Sequence, residues 1–175
     1  EGIEVVAATG AIGNDDDPVA AVRGNPDASV VLAAADVAAG RSDALVSAGP
    51  TGATMTAALF ALRRLHGVRR PALTVQLAVP GGEGPPSVLL DVGANAEVRP
   101  GDLVQFAYLG AAFSQAVLGV DRPRVALLSV GEEPKKGTQD VVEAHAALAA
   151  ADGIEFLGNV EVRDSSGEID VRDVG

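Results

Sequence analysis

Short apolar runs alternate with longer segments of helical periodicity along this chain, and four of the runs stop in small, polar, glycine-containing loops. That alternation is the tightest constraint on the fold. It favours a single α/β domain over residues 1–175, with a largely parallel sheet and flanking helices. The apolar runs predict strands at Ile3–Ala8, Ala44–Ser47, Leu73–Val79, Ser87–Val92, Arg124–Val130 and Ile154–Leu157. No helical segment separates the third from the fourth, so those two are expected to form a hairpin across a Pro80–Pro86 turn. Helices are expected over Pro18–Val22 and over Ala28–Ala39, the latter capped by Asp27 and stopped by Gly40. Further helices are expected over Ala53–His66, from Pro100 to Leu118 before Gly119, and over Val141–Ala151. Aromatic residues make up only 3% of the chain, which suits Ala-rich helices and tight loops better than an all-β sandwich.

Composition removes several classes of function. With 13 Lys+Arg against 24 Asp+Glu the net charge is −11, and a surface that acidic repels a phosphodiester backbone, so nucleic acid is not an expected partner. The chain has no Cys, which excludes a disulfide framework, a thiolate metal site and a cysteine nucleophile. Its two histidines, His66 and His145, are too few for a His-based zinc site, and no metal is expected. The three consecutive aspartates Asp15–Asp17 lack the rest of a calcium-loop pattern and read as a solvated loop entering a helix. His145 reads as a surface or interface residue of an Ala-rich helix. Every apolar stretch is broken well before the roughly 18 residues that a bilayer-spanning helix needs.

The chemistry is expected where strands end. The four loops are Ser47–Gly52, Asp91–Asn95, Gly131–Gly137 and Gly158–Glu161. In an open α/β sheet, ligands bind beyond the carboxyl ends of the strands. Glycine there lets backbone N–H groups approach closely, and a loop that opens a helix aims free N–H groups at an anion. A small anion such as phosphate is the expected ligand; ordinary tight βα turns are the alternative. Neither the G-x-G-x-x-G spacing nor a complete G-x-x-x-x-G-K-[ST] loop is present, which disfavours hydride transfer and Walker-type ATP hydrolysis. Lys136, before Gly137, is the preferred phosphate-facing cation, whereas Lys135 reads equally as part of a solvated charge run. Arg63, Arg64, Arg69 and Arg70 surround His66. They read either as cations at a helix C-terminus or as a docking patch for an acidic partner.

In this order the motifs resemble those of the bacterial phosphate acyltransferases of phospholipid synthesis, the acyl-acyl-carrier-protein–phosphate transacylases. The matching residues are Asp17-Pro18-Val19 with Ala21-Val22-Arg23, Asp43 to Gly49 with Thr51-Gly52-Ala53, and Arg70-Pro71-Ala72. Leu89 to Asn95, Pro123 to Leu128, and Gly158-Asn159-Val160-Glu161 with Arg163-Asp164 complete the set. This chain departs from the pattern at Pro50, where the family usually has Asn, and lacks the family's Asp-Ala-Met-Gly-Gly-Asp and Asp-Gly-Phe-Thr-Gly-Asn motifs. It is therefore expected to be the central portion of a longer enzyme, incomplete at both ends, or a diverged relative.

The resemblance implies a fold similar to that of the isocitrate dehydrogenase and phosphate acetyltransferase group. It implies transfer of a long-chain acyl group from acyl carrier protein to inorganic phosphate, without a cofactor. The alternatives are a non-catalytic ligand-binding or scaffold domain, and a short-chain phosphate acyltransferase using coenzyme A thioesters. A cytoplasmic homodimer is implied for the full-length protein, peripheral at the inner face of the membrane through segments outside this chain. On that basis backbone N–H groups around Gly49, Thr51 and Gly52 and around Gly93, together with Lys136, are expected to hold phosphate. Asn95 and Asn159 are expected to orient phosphate or the thioester carbonyl, and Asp91, Glu132, Glu161 and Asp164 to orient the lysine and the loops. Arg63, Arg64, Arg69 and Arg70 are expected to dock the acidic carrier protein.

Overall fold

The computed structural model describes residues 2–78 and 84–161; Arg163, Asp164 and part of the Pro80–Pro86 turn lie outside them. The chain is mixed α/β and divides into two compact units, Glu1–Gly67 and Val68–Gly175.

The first unit is built on three helices, α1 (Pro18–Gly24), α2 (Ser29–Ala38) and α3 (Thr51–Leu62). Asp17 caps α1, its carboxylate accepting the Ala20 N–H at 2.7 Å, and Pro18 occupies the first turn, where a missing N–H costs nothing. The core is Ile12, Val22, Ala28, Ala34, Ala53 and Ala57. Alanine at four of these six positions lets the helices approach closely. At Gly52 of α3 a Cβ would stand 2.9 Å from Pro18 Cγ of α1.

Three expectations for this unit fail. Ile3–Ala8 and Ala44–Ser47 are not strands: Ile3 and Val46 are almost fully exposed, and the only bridge nearby joins Gly10 to Ala28. Their apolar composition suits a strand, but a strand exists only when its backbone groups find a neighbour. Asp27 does not cap α2. Ala28 holds the N-cap position, its own N–H donates to the Asn25 carbonyl, and the Ser29 N–H donates to the Gly10 carbonyl. Backbone thus satisfies two donors at this start without a side-chain cap. Finally, α3 stops at Leu62 because Arg63 takes a left-handed φ of 66°, so Arg63 and Arg64 follow the helix and do not sit in its last turn.

The second unit holds β1 (Thr74–Leu77), β2 (Ser87–Leu90), α4 (Pro100–Leu118), β3 (Arg124–Leu128), α5 (Gln139–Ala149) and β4 (Glu155–Val160). The expected hairpin is present, with β1 antiparallel to β2 and Thr74 opposite Leu90. The expected parallel pairing is present in part: β3 runs parallel to β4, and the described strands form two two-stranded sheets. Helix α4 packs on both β2 and β3, and α5 packs on α4 and β4. Phe106, Leu127, Ala144 and Leu148 are the buried apolar residues here. Both ends of α4 follow local chemistry. Asp102 at the third position accepts the Arg99 N–H at 3.1 Å, and Gly119 closes the helix in the left-handed conformation.

β4 runs further than its sequence predicts, through Gly158, Asn159 and Val160, so those residues belong to a strand and not to a loop beyond it. The register explains why. Val125 pairs with Phe156, but Ala126 pairs with Gly158, leaving Leu157 as the extra residue of a β-bulge. A bulge reverses the facing of everything after it. Phe156 and Asn159, three residues apart, therefore both turn toward α5, where each meets His145.

A cavity of about 530 Å³ lies in this unit between β2 and β3, with Leu103 and Phe106 of α4 along its wall.

Candidate functional site

The sequence-selected residues form one group in the first unit and two in the second. In the first unit they sit at the start of α3. Ser47 Oγ accepts the Gly49 N–H at 3.1 Å and lies 3.1 Å from the Thr54 hydroxyl, which is also 3.1 Å from the Pro50 carbonyl. Pro50 at the N-cap supplies no side-chain acceptor. The first amides of the helix, from Thr51, Gly52 and Ala53, thus carry no side-chain cap, and they point the positive end of a twelve-residue helix outward. Gly52 has a second duty, since its missing side chain admits Pro18.

In the second unit, the Asp91 carboxylate organises the loop after β2. Oδ1 accepts the N–H groups of Leu73 and Ala94, both at 2.9 Å. Oδ2 accepts the Asn95 N–H and the Asn95 side-chain amide, both at 2.8 Å. Burial pushes the Asp91 pKa up, but the Asn95 side-chain bond and the backbone bonds from Ala94, Leu73 and Asn95 outweigh it. The carboxyl is held below its ordinary value. Asn95 Nδ2 also donates to the Pro71 carbonyl at 2.9 Å, and its Oδ1 lies 3.4 Å from the Arg70 guanidinium. Both ends of the Asn95 amide are thus committed within the protein, which makes it a strut for the Gly93 turn. Arg70 also reaches the Glu97 carbonyl at 3.2 Å. Arg69 and Arg70 both pair with the buried Asp102 carboxylate, at 3.1 and 3.8 Å. These two arginines fasten the chain before β1 to the loop after β2 and to the start of α4.

The third group surrounds the loop between β3 and α5. The Glu133 carbonyl accepts the Lys136 N–H and the Asn159 side-chain amide, both at 2.9 Å. The Lys136 carbonyl accepts the Ser129 hydroxyl at 3.0 Å, and the Ser129 N–H donates to the Val160 carbonyl at 2.8 Å. Lys136 therefore has its backbone pinned on both sides while its side chain is exposed. Its stem crosses Gly131, where a Cβ would come within 3.1 Å of Lys136 Cγ. Gly137 closes the loop at a φ of 103°, a conformation that disfavours any side chain, and a Cβ there would strike Ser129 Oγ at 2.8 Å and Val141 Cγ1 at 2.9 Å.

His145 is the residue that sequence reasoning misplaced. It is half-buried in α5, edge-on to Phe156 with ring centroids 5.2 Å apart, and its Nδ1 lies 2.9 Å from Asn159 Oδ1. Asn159 must turn its NH₂ toward the Glu133 carbonyl, so its oxygen faces the imidazole and Nδ1 is the donor. Asn159, only 6% exposed, thus spends both ends of its amide on His145 and the loop backbone. Glu132 and His145 line a shallow cleft of about 470 Å³ beside Pro134 and Phe156. Glu161 lines the larger cavity between β2 and β3. No signal in the sequence marked His145, because its partner is set by the β4 bulge.

Among the described residues no cluster of His, Cys, Asp and Glu is arranged to hold a metal ion, and no helix is long and apolar enough to cross a membrane.

A pinned lysine and an uncapped helix start, each next to a glycine-shaped turn, are arrangements that can receive a small anion. Comparison with known proteins agrees in direction. The chain is 47% identical over 161 residues to a phosphate acyltransferase of Bacillus licheniformis, a match covering 92% of this chain and 46% of that protein. It is 48% identical over 162 residues to the phosphate acyltransferase of Bacillus subtilis, covering 93% and 48% respectively. It is 47% identical over 171 residues to that of a Synechococcus strain, covering 97% and 46%. The chain thus spans about half the length of the curated relatives it matches. With the family model described as "Fatty acid synthesis protein" matching residues 1–172, this chain belongs to the fatty acid synthesis protein family.

Proposed function

We propose that residues 1–175 are the central portion of a phosphate acyltransferase that moves a long-chain acyl group from acyl carrier protein to inorganic phosphate. The observation that carries the reading is Lys136, an exposed cation on a backbone fixed at both ends, in a chain whose relatives are named for phosphate acyl transfer. A phosphate oxygen attacks the thioester carbonyl, the C–O bond forms, and the C–S bond breaks to release the carrier thiolate. Phosphate is already anionic at neutral pH, so it needs positioning and charge compensation more than a base. Lys136 supplies the compensation, whereas the Ala94 and Asn95 N–H groups of the Gly93 turn are already committed to the Asp91 carboxylate. Asp91, Asn95 and Asn159 act as positioning residues, since their polar atoms are engaged with the loops themselves. Arg63 and Arg64, exposed past the end of α3, are the carrier-protein contacts, a basic pair in a chain of net charge −11 that must meet an acidic partner. The working enzyme is a cytoplasmic homodimer that meets the membrane through chain outside this region.

The test is an acyl phosphate assay on the full-length enzyme with long-chain acyl carrier protein and phosphate, the product being trapped as hydroxamate. Lys136→Ala is expected to raise the phosphate KM by roughly tenfold or more, as loss of a charge-assisted contact predicts. An unchanged phosphate dependence removes Lys136 from the site. Absence of phosphate-dependent hydroxamate from the unaltered enzyme refutes the activity. Equal turnover of short-chain coenzyme A thioesters assigns the other substrate class.

A further inference from the structure

A closed circuit of hydrogen bonds ties the loop that carries Lys136 to the helix it opens. The Glu133 carbonyl accepts the Lys136 N–H, closing a tight turn over residues 133–136, and it also accepts the Asn159 side-chain amide, both at 2.9 Å. The chain leaves that turn through Gly137 into α5, and about two turns along the helix His145 reaches back to Asn159 Oδ1 at 2.9 Å. The Glu133 carbonyl can only accept, so Nδ2 of Asn159 faces it and Oδ1 faces the imidazole. Oδ1 belongs to a side chain that is almost fully buried, and His145 is the donor the structure gives it. Without that donor the amide has two orientations, and both are poor. One leaves a buried oxygen unpaired, and the other sets that oxygen against the Glu133 carbonyl. Phe156, edge-on to the imidazole with centroids 5.2 Å apart, holds the ring from the β4 side.

We infer that His145 is a positioning residue for Lys136, an inference that rests on the phosphate role proposed for that lysine. His145 sets the Asn159 amide, the amide holds the Glu133 carbonyl, and the carbonyl holds the backbone from which the exposed cation projects. Its part in the reaction is geometric, since Nδ1 donates to Asn159 and moves no proton. Productive geometry has to be kept within roughly 0.5 Å, which a loop achieves only when its own supports are fixed. What His145 secures is the place of one charge, so it bears on the use of phosphate and not on the acyl donor. The Ser129 hydroxyl fixes the carbonyl side of Lys136 independently, at 3.0 Å. Loss of His145 therefore loosens the lysine without freeing it, and its effect is smaller than that of removing Lys136 itself.

The test compares hydrogen-bond donors at position 145 in the full-length enzyme. His145→Phe keeps a ring beside Phe156 without the N–H, His145→Ala removes both, and His145→Asn returns an amide N–H to the place of Nδ1. The first two are expected to raise the phosphate KM roughly fivefold, the scale of one hydrogen bond, with kcat and the carrier-protein KM little changed. His145→Asn is expected to restore the phosphate KM. Loss of folded enzyme alone would instead lower kcat at an unchanged phosphate KM. Combined with Asn159→Ala, His145→Ala is expected to raise the phosphate KM no further, because both act through one amide. His145→Ala, a small residue on a half-buried helix face, keeps the comparison open if His145→Phe does not fold. An unchanged phosphate KM, a fall in kcat alone, no rescue by His145→Asn, or effects that add to those of Asn159→Ala overturn the inference. Lys136→Ala measured alongside separates the two failures. If it too leaves the phosphate KM unchanged, the phosphate role of Lys136 falls; if it raises that KM while the His145 variants do not, the inference about His145 falls by itself.

Discussion

Asp91 offers the sharpest test of how the loop after β2 is held. Its carboxylate accepts four hydrogen bonds, two on each oxygen, between 2.8 and 2.9 Å. Asp91→Asn keeps the shape but puts an NH₂ opposite two donors. If Oδ2 is the atom replaced, the backbone and side-chain N–H groups of Asn95 both lose their acceptor. At about 1 kcal/mol net for each hydrogen bond lost in a half-exposed setting, the cost is about 2 kcal/mol. With an m-value of about 2 kcal/mol/M, that lowers the urea midpoint by about 1 M. The chain carries its own reporter. It has one Tyr and no Trp, and Tyr108 lies in α4 of the same unit, its hydroxyl donating to the Asp152 carbonyl at 2.8 Å. Tyrosine fluorescence therefore follows the second unit alone. The pH dependence supplies a second arm. A carboxyl held below its ordinary value of 3.8 contributes stability that is present above that value and is lost as pH falls through the depressed one. The gap between the native chain and Asp91→Asn should thus be full at neutral pH and should close below about pH 4. An unchanged midpoint at neutral pH, or a gap that survives strong acid, refutes the argument.

Two further tests separate roles that the sequence placed together. Charge reversal at Arg63 and Arg64 is expected to raise the KM for acyl carrier protein roughly tenfold in the full-length enzyme while sparing an acyl-coenzyme A surrogate. Reversal at Arg69 and Arg70 should instead lower the stability of the second unit by about 1–2 kcal/mol, because the buried Asp102 loses its cations. Equal effects of the first pair on both substrates would end the docking proposal. In the first unit, Gly52→Ala puts a methyl 2.9 Å from the rigid Pro18 ring and should cost about 1–3 kcal/mol. Thermal unfolding followed by circular dichroism checks it, and an unshifted transition would mean that α1 and α3 separate freely at that contact.

Helices in this chain were legible wherever a local signal sets their ends. Pro100 and Gly119 bracket α4 as expected, since an N-terminal proline and a left-handed glycine act on the backbone within one turn. Gly137 was legible for the same reason, since its left-handed φ bends the loop into α5. Where a boundary depended on a partner, the local signal was insufficient. Arg63, not Gly67, ends α3, and backbone from Asn25 to Gly10 replaced the cap offered by Asp27. Ile3–Ala8 and Ala44–Ser47 have strand composition without a strand beside them.

By itself, the sequence determined the α/β character, the hairpin and the family, because each is written in residues close together along the chain. Tertiary structure alone decided what the polar groups in those loops do. Asn95 and Asn159 look like ligands in sequence, but each has both ends of its amide bound inside the protein. His145 meets Asn159 only because Leu157 is extruded from the β3–β4 register, which turns the residues after it to the other face. A one-residue slip between strands leaves no trace in periodicity, since it is fixed by the neighbouring strand and by the helix packed above it.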